Sequence, residues 1–334
     1  MSYQNFRLMP AKLMLSLIAV AQFGVAYIAS AEPLQNKEAV KKARPPSPAS
    51  QKVTGLLYEI RLPQDPQQTT ASSKNASKPV VAYLYGTIHI AKANFYPLSA
   101  PVRKAYAQAN TVVVETDTSD ESSNRSVIGK LSYGVGDKLQ NHLTPSTWMT
   151  LGEMAAESLQ QFQFYKPVLV AMGLTVSAGM QLGYDPAHVL DRHFITAAKK
   201  DKKNLIELDS VHYQADVLAS LTDEEGDAIL INTLNSFKNG DISREFNRMS
   251  EAWLAGDADK LAQINLDASN RDIGSKKITQ KLMDDRNPAM AKKIQDLMLA
   301  GKKLFIVMGS GHLAGENNLL ALLQQQGLQV KQIR

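Results

Sequence analysis

The chain has 334 residues, with 37 Lys and Arg, 32 Asp and Glu, six His and no Cys. Hydrophobic residues make up 44% and charged residues 21%, which is an ordinary globular composition, and the lack of Cys excludes a disulfide framework, a thiolate metal site and a Cys nucleophile. The net charge of +5 is concentrated in the first 50 residues, so the remainder is close to neutral and has no basic surplus for general nucleic-acid binding.

The first 31 residues have the pattern of a secretory signal peptide. Arg7 and Lys12 precede an apolar run over residues 13–28, and small residues follow at Ala29 and Ala31. A membrane span needs about 20 apolar residues, so this shorter run favours cleavage after Ala31 over an uncleaved anchor. We therefore expect a protein exported to a Gram-negative periplasm, with no stable transmembrane segment once the signal is removed.

Residues 32–52 predict a disordered tether, because the stretch is rich in Pro, Ala and Lys and has almost no large apolar side chain to bury. The folded domain is expected over residues 53–334. Within it, short runs of apolar, β-branched and aromatic residues predict buried strands. The predicted strands cover residues 55–62, 80–85, 111–115, 204–208, 303–307 and 329–333.

Helical periodicity and helix-start signals predict a helical middle region between residues 146 and 300. The predicted helices cover residues 98–109, 146–164, 167–182, 185–199, a segment starting at Thr222, 243–255, 257–265, 275–300 with a break at Asn287, and 316–326. Met172 and Met180 share one face of their helix, which favours core packing or groove lining. Residues 63–79 predict a loop, and residues 117–133 fit no pattern.

One arrangement occurs twice, near the two ends of the domain. The string GTIH ending at His89 and the string GSGH ending at His312 each follow a predicted strand and precede a helix and a further strand. The repeat predicts an α/β fold with two pseudo-symmetric strand–Gly-x-x-His–helix–strand halves around one cleft. Functional side chains of open α/β sheets gather beyond the carboxyl ends of strands, so we expect both His residues there.

Glu115 ends the strand that follows the first Gly-x-x-His string. A buried carboxylate without a partner is costly, so this one should face a cation or a metal ion. His89, Glu115 and His312 together predict a catalytic two-His, one-carboxylate metal site that leaves positions open for water or substrate. A single Gly-x-x-His string more often marks a structural His, and the repeated context is what favours function.

These residues also carry a resemblance to a known family. The strings YLYGTIHIAKANFYPL, ANTVVVETD and KLFIVMGSGHLAGENNLLALLQQQG resemble the TraB/PrgY/GumN family, whose members share two Gly-x-x-His motifs and a Glu and include the Wnt-cleaving Tiki metalloproteases. Shorter matches fall at Asp191, Glu207, Trp253 and the pair Arg286-Asn287. The similarity covers residues 56–330, and the chain is most similar to the GumN branch.

The resemblance implies a fold like that of the erythromycin-esterase and ChaN group, with two α/β halves around a cleft. It also implies a divalent-metal-dependent peptidase whose motif residues fall on His89, Glu115 and His312. Arg286 matches a family Arg that would stabilise an oxyanion or hold a carboxylate, with a structural salt bridge as the alternative.

Two further positions are implied to lie at the possible cleft, Asp191 and Glu207. Glu207 matches a family Glu at a strand end, and it either lines the cleft or caps local structure. Asp209 lies outside the match.

Three functions stay open at this level. The first is an exported metal-dependent hydrolase, a peptidase acting on a peptide or small molecule, with Mn, Co or Zn as its divalent cofactor. The second is a non-catalytic periplasmic binding protein for haem or peptide, because ChaN-like relatives bind haem. The third is a regulator that sequesters a peptide signal, as the PrgY relative suggests.

Overall fold

The computed structural model describes residues 55–63 and 81–334. The predicted signal peptide at 1–31, the predicted tether at 32–52 and nearly all of the loop predicted at 63–79 lie outside the described residues. Within the described part of the chain, no helix is long and apolar enough to span a bilayer.

A mixed sheet of six strands lies at the centre of the described structure. The strands are β1 (Leu56–Arg61), β2 (Val81–Thr87), β3 (Thr111–Val114), β4 (Asn204–Glu207), β5 (Leu304–Gly309) and β6 (Gln329–Ile333). Their order across the sheet is β4-β3-β5-β2-β1-β6. Strands β4, β3, β5 and β2 are parallel, whereas β1 is antiparallel to both of its neighbours. The α/β class predicted from the sequence is therefore confirmed.

Helices cover the sheet and form the middle of the chain. They are α1 (Ala100–Gln108), α2 (Glu121–Lys130), α3 (Pro145–Ala155), α4 (Leu159–Phe162), α5 (Pro167–Gln181), α6 (Leu190–Lys200), α7 (Val211–Ala219), α8 (Asp223–Lys238), α9 (Asp241–Leu254), α10 (Ala258–Ser269), α11 (Ile273–Thr279), α12 (Asn287–Leu299) and α13 (Leu319–Gln325). The predicted capping box at Thr222 is present, since its side chain and that of Glu225 exchange hydrogen bonds with each other's backbone N–H.

Several helix boundaries differ from the sequence-based expectation. The helix predicted over 146–164 ends at Ala155, where φ is −134°, and a 3-10 turn and the short α4 follow, with Phe162 fully buried. The helix predicted from Asp185 starts as a 3-10 turn, and α6 begins only at Leu190. The helix predicted over 275–300 contains a π-helical turn, and the predicted break at Asn287 is confirmed by the start of α12.

Two matched halves are not confirmed. The first strand–Gly-x-x-His–helix–strand unit begins with β2 and ends with β3, and one strand, β5, lies between these two in the sheet. The second unit begins with β5 and ends with β6. Two strands, β2 and β1, lie between them in the sheet, because β1 occupies the place beside β2. The extra antiparallel strand breaks the expected symmetry, while the two Gly-x-x-His loops stay adjacent at the centre.

Most buried apolar side chains form one cluster around the sheet. A second, smaller cluster joins α2, α5 and α7, and its buried members are Val127, Leu131, Val168, Leu169, Val211, Ala215 and Leu218. Trp253 of α9 is fully buried, stacks on Phe95 at a centroid distance of 5.1 Å and donates its indole N–H to the carbonyl oxygen of Gly86 at 2.9 Å. It therefore ties the helical layer to the end of β2.

Candidate functional site

The two Gly-x-x-His loops leave the sheet side by side. Strands β2 and β5 are parallel neighbours, and their register places Gly86 opposite Met308 and Thr87 opposite Gly309. Because parallel strands point their carboxyl ends to the same edge, the loops that follow them emerge together. The expected meeting of His89 and His312 at one sheet edge is what this pairing produces.

Glu115 lies between the two imidazoles. Its Oε2 is 3.4 Å from His312 Nε2. A Cβ built on Gly309 would lie 3.0 Å from Glu115 Oε1 and 3.1 Å from His89 Nε2, so both atoms border the space that this glycine leaves open. The three side chains of the predicted site therefore share one location, at the end of β3 and β5.

Close approach, rather than backbone strain, explains the two loop glycines. Gly309 has an ordinary φ of −57°, and its backbone N–H donates to Glu115 Oε1 at 2.7 Å. A Cβ on Gly86 would lie 2.7 Å from Leu313 Cδ1 and 2.9 Å from Leu56 Cβ. Both positions therefore need glycine because neighbouring side chains occupy the place of a Cβ.

The second nitrogen of each imidazole faces a fixed oxygen. His312 Nδ1 lies 2.5 Å from Asn287 Oδ1, and the Asn287 side-chain amide also donates to the carbonyl oxygen of Asn317 at 2.8 Å. His89 Nδ1 lies 3.5 Å from Asp191 Oδ2, while Asp191 Oδ1 accepts a 2.9 Å hydrogen bond from the Thr87 hydroxyl. Such partners fix ring orientation and leave Nε2 as the ligand atom.

Charged neighbours shift the titration of the site. Burial alone would raise the pKa of Glu115, but His312, His89 and the Gly309 N–H outweigh it and hold that pKa well below its ordinary value. Burial alone would lower the pKa of His89, but Asp191 and Glu115 outweigh it and raise that pKa to about 9. These neighbours therefore favour the ionised form of Glu115 and the protonated form of His89.

Arg286 is buried at the start of α12 and forms an ion pair with Asp209. Its Nη1 also donates to the carbonyl oxygen of Leu282 at 2.9 Å, and its guanidinium lies 5.6 Å from the centroid of the Tyr213 ring. Arg286 is also among the residues that line the cleft. Arg286 thus forms the salt bridge that was its structural alternative. It also lines the cleft, as a role in stabilising an oxyanion or holding a carboxylate requires.

Asp191 and Glu207, the two possible cleft positions, have different surroundings. Asp191 lines the cleft and contacts His89. The carboxylate of Glu207 instead accepts a 2.8 Å hydrogen bond from the backbone N–H of Asp117, and Glu207 is not among the described residues lining the cleft. Its environment matches the alternative of a structural cap.

A cleft of about 380 Å³ opens onto the site, which is within the ~300–1,000 Å³ range of small-molecule pockets. His89, Glu115, Asp191 and Arg286 line it together with side chains of α5, α7, α8, α9 and α11. The His89 side chain is 46% exposed, whereas that of His312 is 1% exposed. A ligand in the cleft therefore reaches His89 directly and meets His312 only through the space beside Glu115.

The donor set fits a divalent metal ion in its chemistry. In residues 55–63 and 81–334, no group of three or more His, Cys, Asp or Glu side chains stands in a ready ligand arrangement. The contact between His312 and Glu115 nevertheless leaves His312 Nε2 buried without a hydrogen-bond partner, and Gly309 keeps the space beside Glu115 and His89 open. Two imidazole nitrogens and a carboxylate suit first-row divalent ions.

Sequence reasoning missed two residues that hold the site together. Asn287, which orients His312, marks a helix break and belongs to the short family match with Arg286, but neither signal predicts a role at the site. Asp209 lies outside the match, yet it neutralises Arg286. A buried Arg requires an acidic partner, and that requirement was the one available signal for Asp209.

The fold and site define an α/β protein in which two Gly-x-x-His loops and a strand-end Glu meet at one cleft. The sequence model of the TraB/PrgY/gumN family matches residues 70–332, most of the chain. The chain belongs to this family, as its motifs predicted.

Two curated relatives carry the name "Uncharacterized protein YbaP". The protein from Shigella flexneri is 26% identical over 249 residues, covering 73% of this chain and 88% of the relative. The protein from Escherichia coli (strain K12) is 26% identical over 248 residues, covering 72% and 87%. No solved structure matches the chain, so the expected likeness to the erythromycin-esterase and ChaN group is not confirmed.

Proposed function

We propose that this protein is an exported, metal-dependent hydrolase of amide bonds, a peptidase of the periplasm. The observation that carries the proposal is the meeting of His89, Glu115 and His312 at the end of a cleft. These three residues would hold a divalent ion such as Mn, Co or Zn. A bound ion of this kind lowers the pKa of a water ligand and polarises the carbonyl of a substrate.

The residues around the three ligands have supporting parts in this proposal. Asp191 and Asn287 face the Nδ1 atoms of the two imidazoles, so that the Nε2 atoms are on the side of Glu115. The neighbours that lower the pKa of Glu115 favour its ionised form, which suits a ligand better than a general base, whose pKa should lie near the operating pH. Arg286 lines the cleft, and in this proposal its guanidinium would stabilise a developing negative charge.

The test compares His89→Ala with His212→Ala. His89 is half exposed in the cleft, so its removal should leave the fold intact, whereas His212 is exposed on α7 and does not line the cleft. We expect metal-stimulated cleavage of a peptide library to fall by more than about a hundredfold in His89→Ala and to stay at the native level in His212→Ala. Native activity in His89→Ala would contradict the proposal.

Metal content gives a second readout that does not depend on finding the substrate. Elemental analysis of the purified protein should detect a stoichiometric divalent metal that the double variant His89→Ala/His312→Ala lacks. Binding of haem, with a Soret band that His89→Ala removes, would instead support the non-catalytic binding protein. Peptide binding without cleavage or metal would support the regulator.

A further inference from the structure

One face of α5 forms a long wall of the cleft. Val168, Met172, Val176 and Met180 recur four residues apart, so they lie on one side of the helix, and all four line the cleft. With a rise of about 1.5 Å per residue, this face extends for ~18 Å. The groove lining predicted for Met172 and Met180 is thus what the structure shows.

The opposite walls are also apolar, although they come from four separate helices. Leu218 of α7, Ile229 of α8, Phe246 of α9 and Ile278 of α11 all line the cleft. No charged residue of these four helices or of α5 is among the described lining residues. The helical walls of the cleft therefore form an apolar channel, and the ionisable groups of the cleft come from the segments around His89, Glu115 and Arg286 and from residues 184–192.

Hydrogen-bonding groups are scarce along this channel. The hydroxyl of Thr175 donates to the carbonyl oxygen of Ala171 at 2.9 Å, and the hydroxyl of Thr233 donates to that of Ile229 at 2.8 Å. Both donors are therefore used within their own helices. Of the described lining residues on these five helices, only Gln214 adds a side-chain amide.

A polypeptide backbone lying along these five helices would lose water from its N–H and C=O groups and gain few side-chain partners there, which is unfavourable. An aliphatic chain has no such groups, and its burial against Val and Met side chains is favourable. We infer that the cleft holds an aliphatic acyl chain of the substrate, lying along α5 with its carbonyl carbon toward His89 and Glu115. Which bond is cut rests on the proposed function: the amide bond that such a peptidase cleaves would join this acyl chain to a peptide lying outside the helical channel. The binding of the acyl chain itself does not rest on that function.

The binding test uses the full-length protein and dodecanoyl-glycine, titrated by calorimetry in the presence of a chelator. Val176→Trp fills the channel, and Met172→Glu places a charge in it. Each should weaken binding by about tenfold or more. The matched controls are Val135→Trp and Met149→Glu, at positions that are fully exposed and 64% exposed, and both should bind as the native protein does.

A second arm replaces the acyl compound with a capped alanine–valine peptide of the same extended length. The inference predicts that the peptide binds at least about tenfold more weakly. Equal or tighter peptide binding would overturn it, and so would acyl binding that Val176→Trp leaves unchanged. Circular dichroism of each variant shows whether the fold is retained, and Met172→Glu provides the test if Val176→Trp does not fold.

The two proposals fail separately. If no metal-stimulated hydrolysis is found but dodecanoyl-glycine binds and Val176→Trp weakens it, the inference stands and the proposed function does not. If hydrolysis depends on His89 but dodecanoyl-glycine does not bind, the proposed function stands and the inference is overturned.

Discussion

Gly309 lies against the side chains of Glu115 and His89, and its missing side chain keeps the site open. Its φ of −57° suits any L-residue, so Gly309→Ala should fold while pushing Glu115 or His89 aside by a few tenths of an ångström. We expect the affinity for a divalent metal ion, measured by calorimetry, to fall by about tenfold to a hundredfold with little change in the melting temperature.

The control for this change is Gly129→Ala. Gly129 lies in α2 with no atom within 4 Å of the position of an added Cβ. The same substitution there should leave metal affinity unchanged and stabilise the helix by about 0.5–1 kcal/mol. Unchanged metal affinity in Gly309→Ala would show that this glycine is not part of the site.

At the scale of single residues, the sequence predicts the site residues that belong to a repeated pattern. It does not predict the residues that hold those side chains in place. His89 and His312 are recognisable because each ends a Gly-x-x-His pattern that follows a predicted strand. Asn287 has no such signal, because an Asn before a Pro is also an ordinary helix start. Whether Glu207 or Asp209 contacts the site depends on where β4 ends and its chain turns, which local sequence does not specify.

At the scale of elements, α8 and α11 are in close contact at Gly274. A Cβ there would lie 2.4 Å from the backbone oxygen of Glu225 and 2.6 Å from Ile229 Cδ1, and Lys277 and Glu225 form a 2.7 Å ion pair beside it. Gly274→Ala should therefore separate the two helices and lower the free energy of unfolding by about 1–3 kcal/mol. Denaturation in urea measures this change.

Gly152→Ala is the matched control. Gly152 lies within α3, and the nearest atom to an added Cβ there is 3.9 Å away. This variant should be more stable than the native protein by about 0.5–1 kcal/mol, because Ala is the better helix former. Equal stability changes in the two variants would mean that the α8–α11 contact is not tight.

The strands were predictable as elements because the central ones are buried on both faces. Every residue of β3 and β5 is buried, so their apolar runs are uninterrupted. The break between α3 and α4 was not predictable, because the apolar residues keep a helical period across it and the turn is set by the burial of Phe162. Within residues 117–133, which fit no sequence pattern, Glu121–Lys130 form α2 in spite of the polar composition.

At the scale of the whole molecule, His142 joins two distant segments. Its Nδ1 lies 2.8 Å from Asp223 Oδ1, its Nε2 lies 2.9 Å from Asp137 Oδ2, and its ring stacks on Tyr133. Burial alone would lower the pKa of His142, but these two carboxylates outweigh it and raise that pKa above its ordinary value. The folded protein therefore binds this proton more tightly than the unfolded chain does.

The sign of this linkage gives a pH dependence for global stability. The contribution of His142 is fully present below its ordinary pKa of ~6.5 and is lost as the pH rises through the raised value. His142→Gln should therefore lower the free energy of unfolding most near about pH 5 and progressively less toward about pH 9. Urea denaturation at a series of pH values measures it.

The exposed His212 provides the comparison for that series, since its side chain has no carboxylate partner among the described ion pairs. His212→Gln should follow the native protein at every pH. A His142→Gln difference that is constant with pH would mean that the charge of His142 does not contribute.

Strands β2 and β5 are neighbours in the sheet but far apart in sequence, so the site forms only after both have been synthesised. Thr87 donates to the carbonyl oxygen of Met308, a partner 221 residues away in sequence, and such long-range pairings form late in folding. A chain emerging from the ribosome carries His89, Glu115 and the helices of the cleft long before His312 arrives. Strands β5 and β6 follow all of these elements in the chain. A chain that ends before β5 therefore lacks both His312 and the strand that joins β3 to β2, so it cannot form the site.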